Sequence, residues 1–236
     1  PNHPSSIDLR IVSPMDQPTF LDRLSPTGRV ALESAGTLRR HRRGAMIFRE
    51  GESSSTVVVI LEGSIKLTKV AMDGREVILA LQGAGDVLGE LAALDAEPRS
   101  ATGVFLTPGS LIQLSSDQFS TLVDEEPSVA SATLRTVALR LRNASNRQLE
   151  FGTSDSMTRV CGRLVELMEG GTAAADGSVQ FKSPLSQQEL ASWAGVSRDA
   201  VVRALKTARD QGWLETGRQS FVVKSPRDLR RHAKPK

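Results

Sequence analysis

From Ala45 to Leu114 the chain is a series of short Val/Ile/Leu-rich runs separated by glycine: AMIF, TVVVILE, SIKLTKV, EVILALQ, DVLG and SLIQL. Runs of this length, bounded by turn formers, read as the strands of an all-β unit. Asp73-Gly74 stands between two of them, and a two-residue Asp-Gly loop supplies the positive backbone angles of a tight hairpin. Gly44, Gly51, Gly63, Gly83, Gly85 and Gly89 mark the other corners of a rolled sheet. Ahead of it, Pro1 to Pro18 has prolines and polar residues without periodicity and is expected to be a flexible leader. A short helical stretch around Phe20 to Ala35 and a basic segment, Leu38 to Arg43, follow.

Beyond Pro127 the period changes. Leu134, Leu141 and Gln148 recur every seven residues, with Val137/Ala138, Ala144/Ser145 and Phe151 at the intervening positions. The spacing predicts a helix over 127–151 whose seam suits an identical helix. A helix lying on its own domain's core has the same periodicity, so both readings stand at this point. Gly152-Thr153-Ser154 breaks the pattern and is expected to be a hinge, and Asp155 is a good N-cap for a helix from Ser156 to Met168. A Gly/Ala/Asp linker, Gly170 to Gly177, leads into a short strand, Val179 to Lys182.

Ser186-Gln187-Gln188-Glu189 is a capping box, in which serine and glutamate reciprocally satisfy free amides at a helix start. The helix it opens carries Leu190, Trp193 and Ala194 inward. Gly195 then permits a sharp turn, and Ser197 caps a second helix striped by Val201, Ala204, Leu205 and Ala208. Two capped helices joined through a short glycine turn form a helix-turn-helix. The second helix presents Arg198, Asp199, Val202, Arg203, Lys206 and Arg209 outward. Arginine can donate two parallel hydrogen bonds to guanine, aspartate can accept from the cytosine amino group, and valine can touch a thymine methyl. Arg198, Asp199 and Arg203 are therefore the candidate base contacts, with Ser186, Ser197, Lys206, Arg209 and Arg218 the candidate backbone contacts. A solvated face with an Asp199–Arg203 ion pair is the competing explanation. Trp213 to Val223 reads as a hairpin turning near Gly217, a wing, and Trp193 and Trp213 read as core residues. Arg227 to Lys236 is expected to be a mobile basic tail.

Charge sharpens this picture. The net is only +3, but from Asp155 onward fourteen Lys and Arg stand against nine Asp and Glu, a net of +5, while the remainder carries −2. A basic C-terminal third favours a polyanionic partner. At 236 residues, 39% apolar and 24% charged, the chain has ordinary soluble composition and room for two modest cores. No stretch is long enough to span a bilayer and the start lacks a signal-peptide layout, so the expected location is the cytoplasm, without a membrane partner. One cysteine, Cys161, makes neither an internal disulfide nor an iron–sulfur site, and His3, His41 and His232 form no metal cluster. No metal, cofactor or catalytic residue is assigned. No nucleophile–base set or Walker loop appears, and the chain is not read as an enzyme.

Within the rolled sheet the informative string is Gly89-Glu90-Leu91 followed by Arg99-Ser100-Ala101. Glycine before a helical turn leaves amides free to face an anion. Arg99 offers a planar donor fork for a phosphodiester, Ser100 a hydroxyl, and Glu90 an acceptor for a ribose hydroxyl. Taken alone, Glu90 and Arg99 read equally well as a structural salt bridge.

With these residues in place, the stretch from Phe20 to Val223 resembles the cyclic-AMP receptor protein family, within the superfamily that includes the fumarate–nitrate reductase regulator. Gly89-Glu90-Leu91 with Arg99-Ser100-Ala101 is similar to its cyclic-nucleotide cassette, and Ser197 to Arg203 to its Ser-Arg-Glu-Thr-Val-Gly-Arg recognition helix. The resemblance implies an α+β architecture: a jelly-roll-like cyclic-nucleotide-binding β-roll at 19–126, a dimerisation helix at 127–151 and a hinge at 152–154. A winged helix-turn-helix at 155–225 and a tail at 226–236 complete it. It further implies a homodimeric, allosteric transcription regulator on palindromic double-stranded DNA, with cyclic AMP favoured over cyclic GMP as ligand and RNA polymerase as partner. The alternative is the same DNA-binding role without a nucleotide, or with another effector. By the resemblance Glu90 would meet the ribose 2′-hydroxyl, and Arg99, Ser100 and the Leu91 backbone the cyclic phosphate. The family's Thr-Ser or Thr-Asn pair on the dimer helix is Ala144-Ser145 here, which leaves Ser145 and removes one adenine donor. Asp199 replaces the family's glutamate, so a half-site like TGTGA, though altered, is implied, with the loop Gly171 to Gly177 facing the polymerase.

Overall fold

The computed structural model describes residues 18–53, 55–217 and 220–234, so the expected leader lies, but for Pro18, outside the described residues. A 3-10 turn (Leu21–Arg23) and α1 (Pro26–Ala35) come first. They are followed by β1 (Thr37–His41), β2 (Met46–Phe48), β3 (Thr56–Glu62), β4 (Ile65–Val70), β5 (Glu76–Gln82) and β6 (Val87–Leu88). Next come α2 (Glu90–Asp95), β7 (Thr102–Phe105), β8 (Gly109–Ser115), α3 (Ser116–Glu125), α4 (Pro127–Thr153) and α5 (Ser156–Met168). The C-terminal part holds β9 (Thr172–Ala173), β10 (Val179–Lys182), α6 (Gln187–Ala194), α7 (Arg198–Asp210), β11 (Leu214–Thr216), β12 (Ser220–Val223) and α8 (Pro226–His232).

The unbroken apolar run of β3 explains the roll. Successive strand side chains point to opposite faces, and here both faces are buried. Val58 and Ile60 face inward with Ile65, Leu88, Phe105 and Leu111, whereas Val57 and Val59 join Leu32, Phe119, Leu122 and Val129 under the helices. One sheet runs β1-β8-β3-β6 and the other β2-β7-β4-β5, antiparallel throughout. Helix α3 starts in a capping box of Ser115 and Gln118, and it packs on the first turns of α4.

Several boundaries differ from expectation. The hairpin between β4 and β5 has a three-residue loop, Met72 to Gly74, rather than a two-residue one. Ala71 N donates to Arg75 O and Gly74 N to Ala71 O, which places Gly74 at φ +81°, the left-handed position of a three-residue loop. The long helix does not stop at Phe151 but continues to Thr153, whose hydroxyl donates to Leu149 O, so Gly152 and Thr153 are helical and not hinge. The linker after Gly170 contains β9, paired with β10, and a tight turn closed by Ala174 N donating to Ser178 O. The basic tail begins as α8, opened by Pro226 and anchored by the fully buried Leu229. In the wing, Gly217 N donates to Ser220 O, and Arg218 lies outside the described residues.

The C-terminal head is closed by Val160, Leu164, Phe181, Leu190, Trp193, Val201, Leu205, Leu214 and Leu229, and its core is continuous with Ile78 and Leu81 of β5. The head therefore packs on the edge strand of the roll. Ser192 of α6 meets that edge, its hydroxyl donating to Glu76 O (2.7 Å) and accepting from Ile78 N (3.0 Å). Lys66 of β4 bridges Glu76 and Glu189, at 2.9 and 3.1 Å. Burial opposes the charge on Lys66, but the two carboxylates prevail and raise its pKa. At the turn between α6 and α7, Gly195 has φ +63°, and a side-chain carbon there would strike the Phe151 ring. Gly195→Ala should therefore destabilise the chain by more than about 1 kcal/mol in urea unfolding. Adding Phe151→Ala should recover only the steric part, because the backbone angle persists.

Candidate ligand pocket and nucleic-acid interface

Gly89, Glu90, Leu91, Arg99, Ser100 and Ala101 converge on one cavity of about 50 Å3, closed by Phe48, Leu67 and Arg140. Arg99 is 5% exposed. Its Nη2 donates to the carbonyl of Thr56 and, at 2.9 Å, to the Thr56 hydroxyl, and its guanidinium lies 4.4 Å from the Phe48 ring centre. Its Nη1 is buried without a hydrogen-bond partner. Gly89, at φ +84°, is what lets Arg99 come so close, since a side-chain carbon there would collide with Nη1. Burial lowers the Arg99 pKa, against the opposing pull of Glu90 and Glu52. Arginine titrates so high that it stays charged, and a buried cation with an idle donor suits an anion.

The Glu90 carboxylate is 1% exposed and is paired with Arg140 of α4, whose other terminal nitrogen donates to Val87 O. The sequence pairing of Glu90 with Arg99 as a salt bridge is thus not the one formed; the cation comes from fifty residues along the chain. Arg140 was missed in the sequence because it sits one position before Leu141, off the heptad seam. Ser145 does not join this cavity. It is exposed and donates to Leu141 O at 3.0 Å, while its neighbour Ala144 lines a second, larger cavity.

Of the two readings of α4, full burial on its own domain's core holds for the first turns, where Val129, Ala132 and Thr133 are buried, and further along Arg140 and Arg147 reach the roll by polar contacts. Leu134 and Leu141 are 71 and 68% exposed, large apolar side chains one heptad apart, and Phe151, 53% exposed, lies partly against Gly195 and Arg159.

On α7, Ala200, Val201, Ala204, Leu205 and Ala208 are buried, and Arg198, Asp199, Val202, Arg203 and Lys206 share the exposed face. No ion pair joins Asp199 to Arg203 among the described residues, which leaves both side chains to solvent. Arg209 differs: its Nη1 donates to Thr216 Oγ1 at 3.0 Å, tying the helix to the wing strand β11. Ser186 and Ser197 are exposed caps, accepting from Glu189 N and Ala200 N. Trp193 is buried as expected, and Trp213 stacks on His232 at 4.1 Å. Burial pushes the Cys161 thiol up to about 12, so it holds no reactive thiolate at neutral pH. Among the described residues no group of His, Cys, Asp and Glu could hold a metal, and no helix is long and apolar enough to cross a membrane.

Residues 38–126 match the cyclic nucleotide-binding domain model and residues 158–232 the Crp-like helix-turn-helix domain model. The chain is 29% identical over 192 residues to the CRP-like cAMP-activated global transcriptional regulator of Mycobacterium tuberculosis, covering 81% of this chain and 86% of that protein. It is also 29% identical over 189 residues to the cyclic AMP receptor protein of Thermus thermophilus, covering 79% and 83%. Its fold matches FixK2 from Bradyrhizobium japonicum, with a TM-score of 0.75 at 23% identity over 85% of this chain and 98% of that one. The Mycobacterium relative is named a transcriptional regulator.

The pairing of Glu90 gives a direct check. Arg140→Ala should cost about 2 kcal/mol or more in urea unfolding, because it strands a buried carboxylate. Glu90→Gln in the same chain should restore most of that loss.

Proposed function

Because the chain belongs to the superfamily of the cyclic-AMP receptor protein and the fumarate–nitrate reductase regulator, DNA-binding transcription regulators with a cyclic nucleotide-binding domain, we propose that it acts as a homodimer whose hold on palindromic DNA is set by a cyclic nucleotide in the roll. The observation that carries the ligand reading is the buried Arg99 guanidinium with its unpartnered Nη1 beside Gly89. A cyclic phosphate would accept from Arg99 and Ser100, and a ribose hydroxyl would donate to Glu90. Cyclic AMP is favoured over cyclic GMP, as the names of the cAMP-activated relatives suggest. The exposed pair Leu134 and Leu141, one heptad apart, supports pairing with a second copy, since large apolar side chains in register seek cover. Ser145 lies beside that pair, so any role in ligand binding runs through the partner helix.

In the dimer, two copies of α7 would enter successive major grooves about 34 Å apart. Arg198, Asp199 and Arg203 would read base edges; Ser186, Ser197, Lys206 and Arg209 would hold phosphates, as would Arg218. The roll domain, read as 19–126, and the head, read as 155–225, would be joined by α4, which ends at Thr153, and Ser154 would serve as the pivot between them. RNA polymerase is the expected partner, through the loop from Gly171 to Gly177, and a bacterial cytoplasm the expected place of work.

A second reading, the same DNA role under a different effector, has its own support. With Arg140 in place the cassette cavity measures only about 50 Å3, and Ala144 supplies no donor for adenine. Calorimetry separates the two: the first predicts saturable heat with cyclic AMP that Arg99→Ala abolishes, the second no heat with cyclic AMP or cyclic GMP. For DNA, Arg198→Ala should cost roughly 1–3 kcal/mol and relax discrimination at one base pair of each half-site. Gel-shift titration against single-base operator variants measures it, and unchanged discrimination at every position removes Arg198 from base reading.

A further inference from the structure

The basic segment at the end of the chain is an ordered, charged ridge. Leu229 is fully buried in the core of the head, and the outer side of α8 carries Arg227, Arg230 and Arg231, with Lys234 in the turn beyond. The spacing i, i+3, i+4, i+7 puts these four on one helical face, and all four side chains are exposed. The one carboxylate within the helix, Asp228, is engaged by Arg231 at 3.1 Å and by the Ser225 hydroxyl at 2.6 Å. Arg227, Arg230 and Lys234 have no ion pair among the described residues. Local stability does not account for this arrangement. Cations in the last turn suit the helix dipole, but Arg227 stands in the first turn, where a cation is disfavoured, and like charges one turn apart repel.

The place of α8 is as well defined as its charge. Lys224 N and Ser225 N both donate to Trp213 O, and the His232 ring stacks on that of Trp213, just past the end of α7 at Asp210. Val223, the last residue of β12, pairs with Leu214 and Val179 at the end of the sheet remote from the wing turn. The ridge is therefore fixed beside the C-terminal end of α7, outside the surface assigned to the half-site. We propose that it binds the phosphates of duplex DNA flanking each half-site, an inference that rests on the DNA-binding reading above. Charge complementarity selects the occupant. The ridge spans about 10 Å at the helical rise of about 1.5 Å per residue. A duplex carries one negative charge for about every 1.7 Å of its axis, so several phosphates can meet the ridge at once. Contacts of this kind hold and orient the duplex without reading its sequence.

The test compares the full chain on a short TGTGA-type palindrome and on the same palindrome extended at either end by one helical turn, roughly ten base pairs, of arbitrary sequence. At low salt the extended duplex should bind at least about tenfold more tightly. The slope of log affinity against log salt should steepen by about 0.9 for each phosphate engaged. The triple variant Arg227→Gln, Arg230→Gln, Lys234→Gln alters exposed side chains only and leaves the Leu229 anchor in place. It should bind the short palindrome as the unaltered chain does, but lose both the gain and the added slope. Arg227→Lys with Arg230→Lys keeps the charge and should keep both, which a purely structural role of the arginines would not require. Selective binding of the short palindrome with no gain from the flanks overturns the proposal and leaves the DNA-binding reading standing. A gain that the triple variant retains overturns it too, and leaves the ridge to an acidic protein surface. Equal losses on the short and extended duplexes place the ridge inside the half-site, again against the proposal. Equal binding of the short palindrome and a scrambled duplex overturns the DNA-binding reading, and the proposal with it.

Discussion

The Glu90 carboxylate, almost wholly withdrawn from water, is the point on which the arrangement turns. A buried charge is tolerated only when paired and hydrogen-bonded, and its partner here, Arg140, belongs to α4. The long helix therefore cannot leave the roll without stranding an anion. On the other side of the same small cavity Arg99 is held by Thr56 and Phe48 with one donor idle. Two arginines and one carboxylate in so little space leave an excess of positive charge, and an entering anion would redistribute it. Whatever binds Arg99 and competes for Glu90 acts on Arg140, and through it on the helix.

From Arg140 the same helix carries a second set of charges toward the head. Arg147 and Glu150 of α4 interlock with Arg163 and Glu166 of α5. Burial raises the Glu166 pKa, and the flanking arginines Arg163 and Arg147 oppose that rise. Both guanidinium groups approach the Trp193 ring, Arg163 at 5.4 Å and Arg147 at 5.9 Å. The head is thus tied to α4 by ion pairs and to β5 by the Ser192 hydroxyl, rather than hung from a free linker. Such packed, discrete contacts have few alternative arrangements, so any change of orientation the proposed function requires would move the junction as a unit.

Much of this was legible in the sequence because the relevant physics is local. The apolar run of β3, the capping box at Ser186 and Glu189, and the glycine between α6 and α7 each fix the backbone through near neighbours. The cassette residues from Gly89 to Ala101 and the exposed arginines of α7 were found for the same reason: they lie close together along the chain. What escaped notice depends on distance or on competition. Arg140 and Glu90 meet across fifty positions, and nothing in the heptad pattern distinguishes Arg140 from any solvated arginine. Trp193 was recognised as core, but its idle N–H emerges only once β5 and α4 close around it. Gly152 looked like a helix breaker, yet the bond from Thr153 to Leu149 and that from Ser154 N to Glu150 O carry the helix past it. Leu229 gave the basic tail an anchor that its charge pattern concealed.

The central claim is that the anion pocket and the DNA-reading helices are coupled through one spine. Fluorescence anisotropy of the full chain on a labelled TGTGA-type palindrome and on its scrambled counterpart, with and without saturating cyclic AMP, tests it most directly. Coupling of the usual size, about 1–3 kcal/mol, predicts a 5- to 150-fold rise in affinity for the palindrome alone when the nucleotide is present. Equal affinity for both duplexes, unchanged by the nucleotide, would contradict the account.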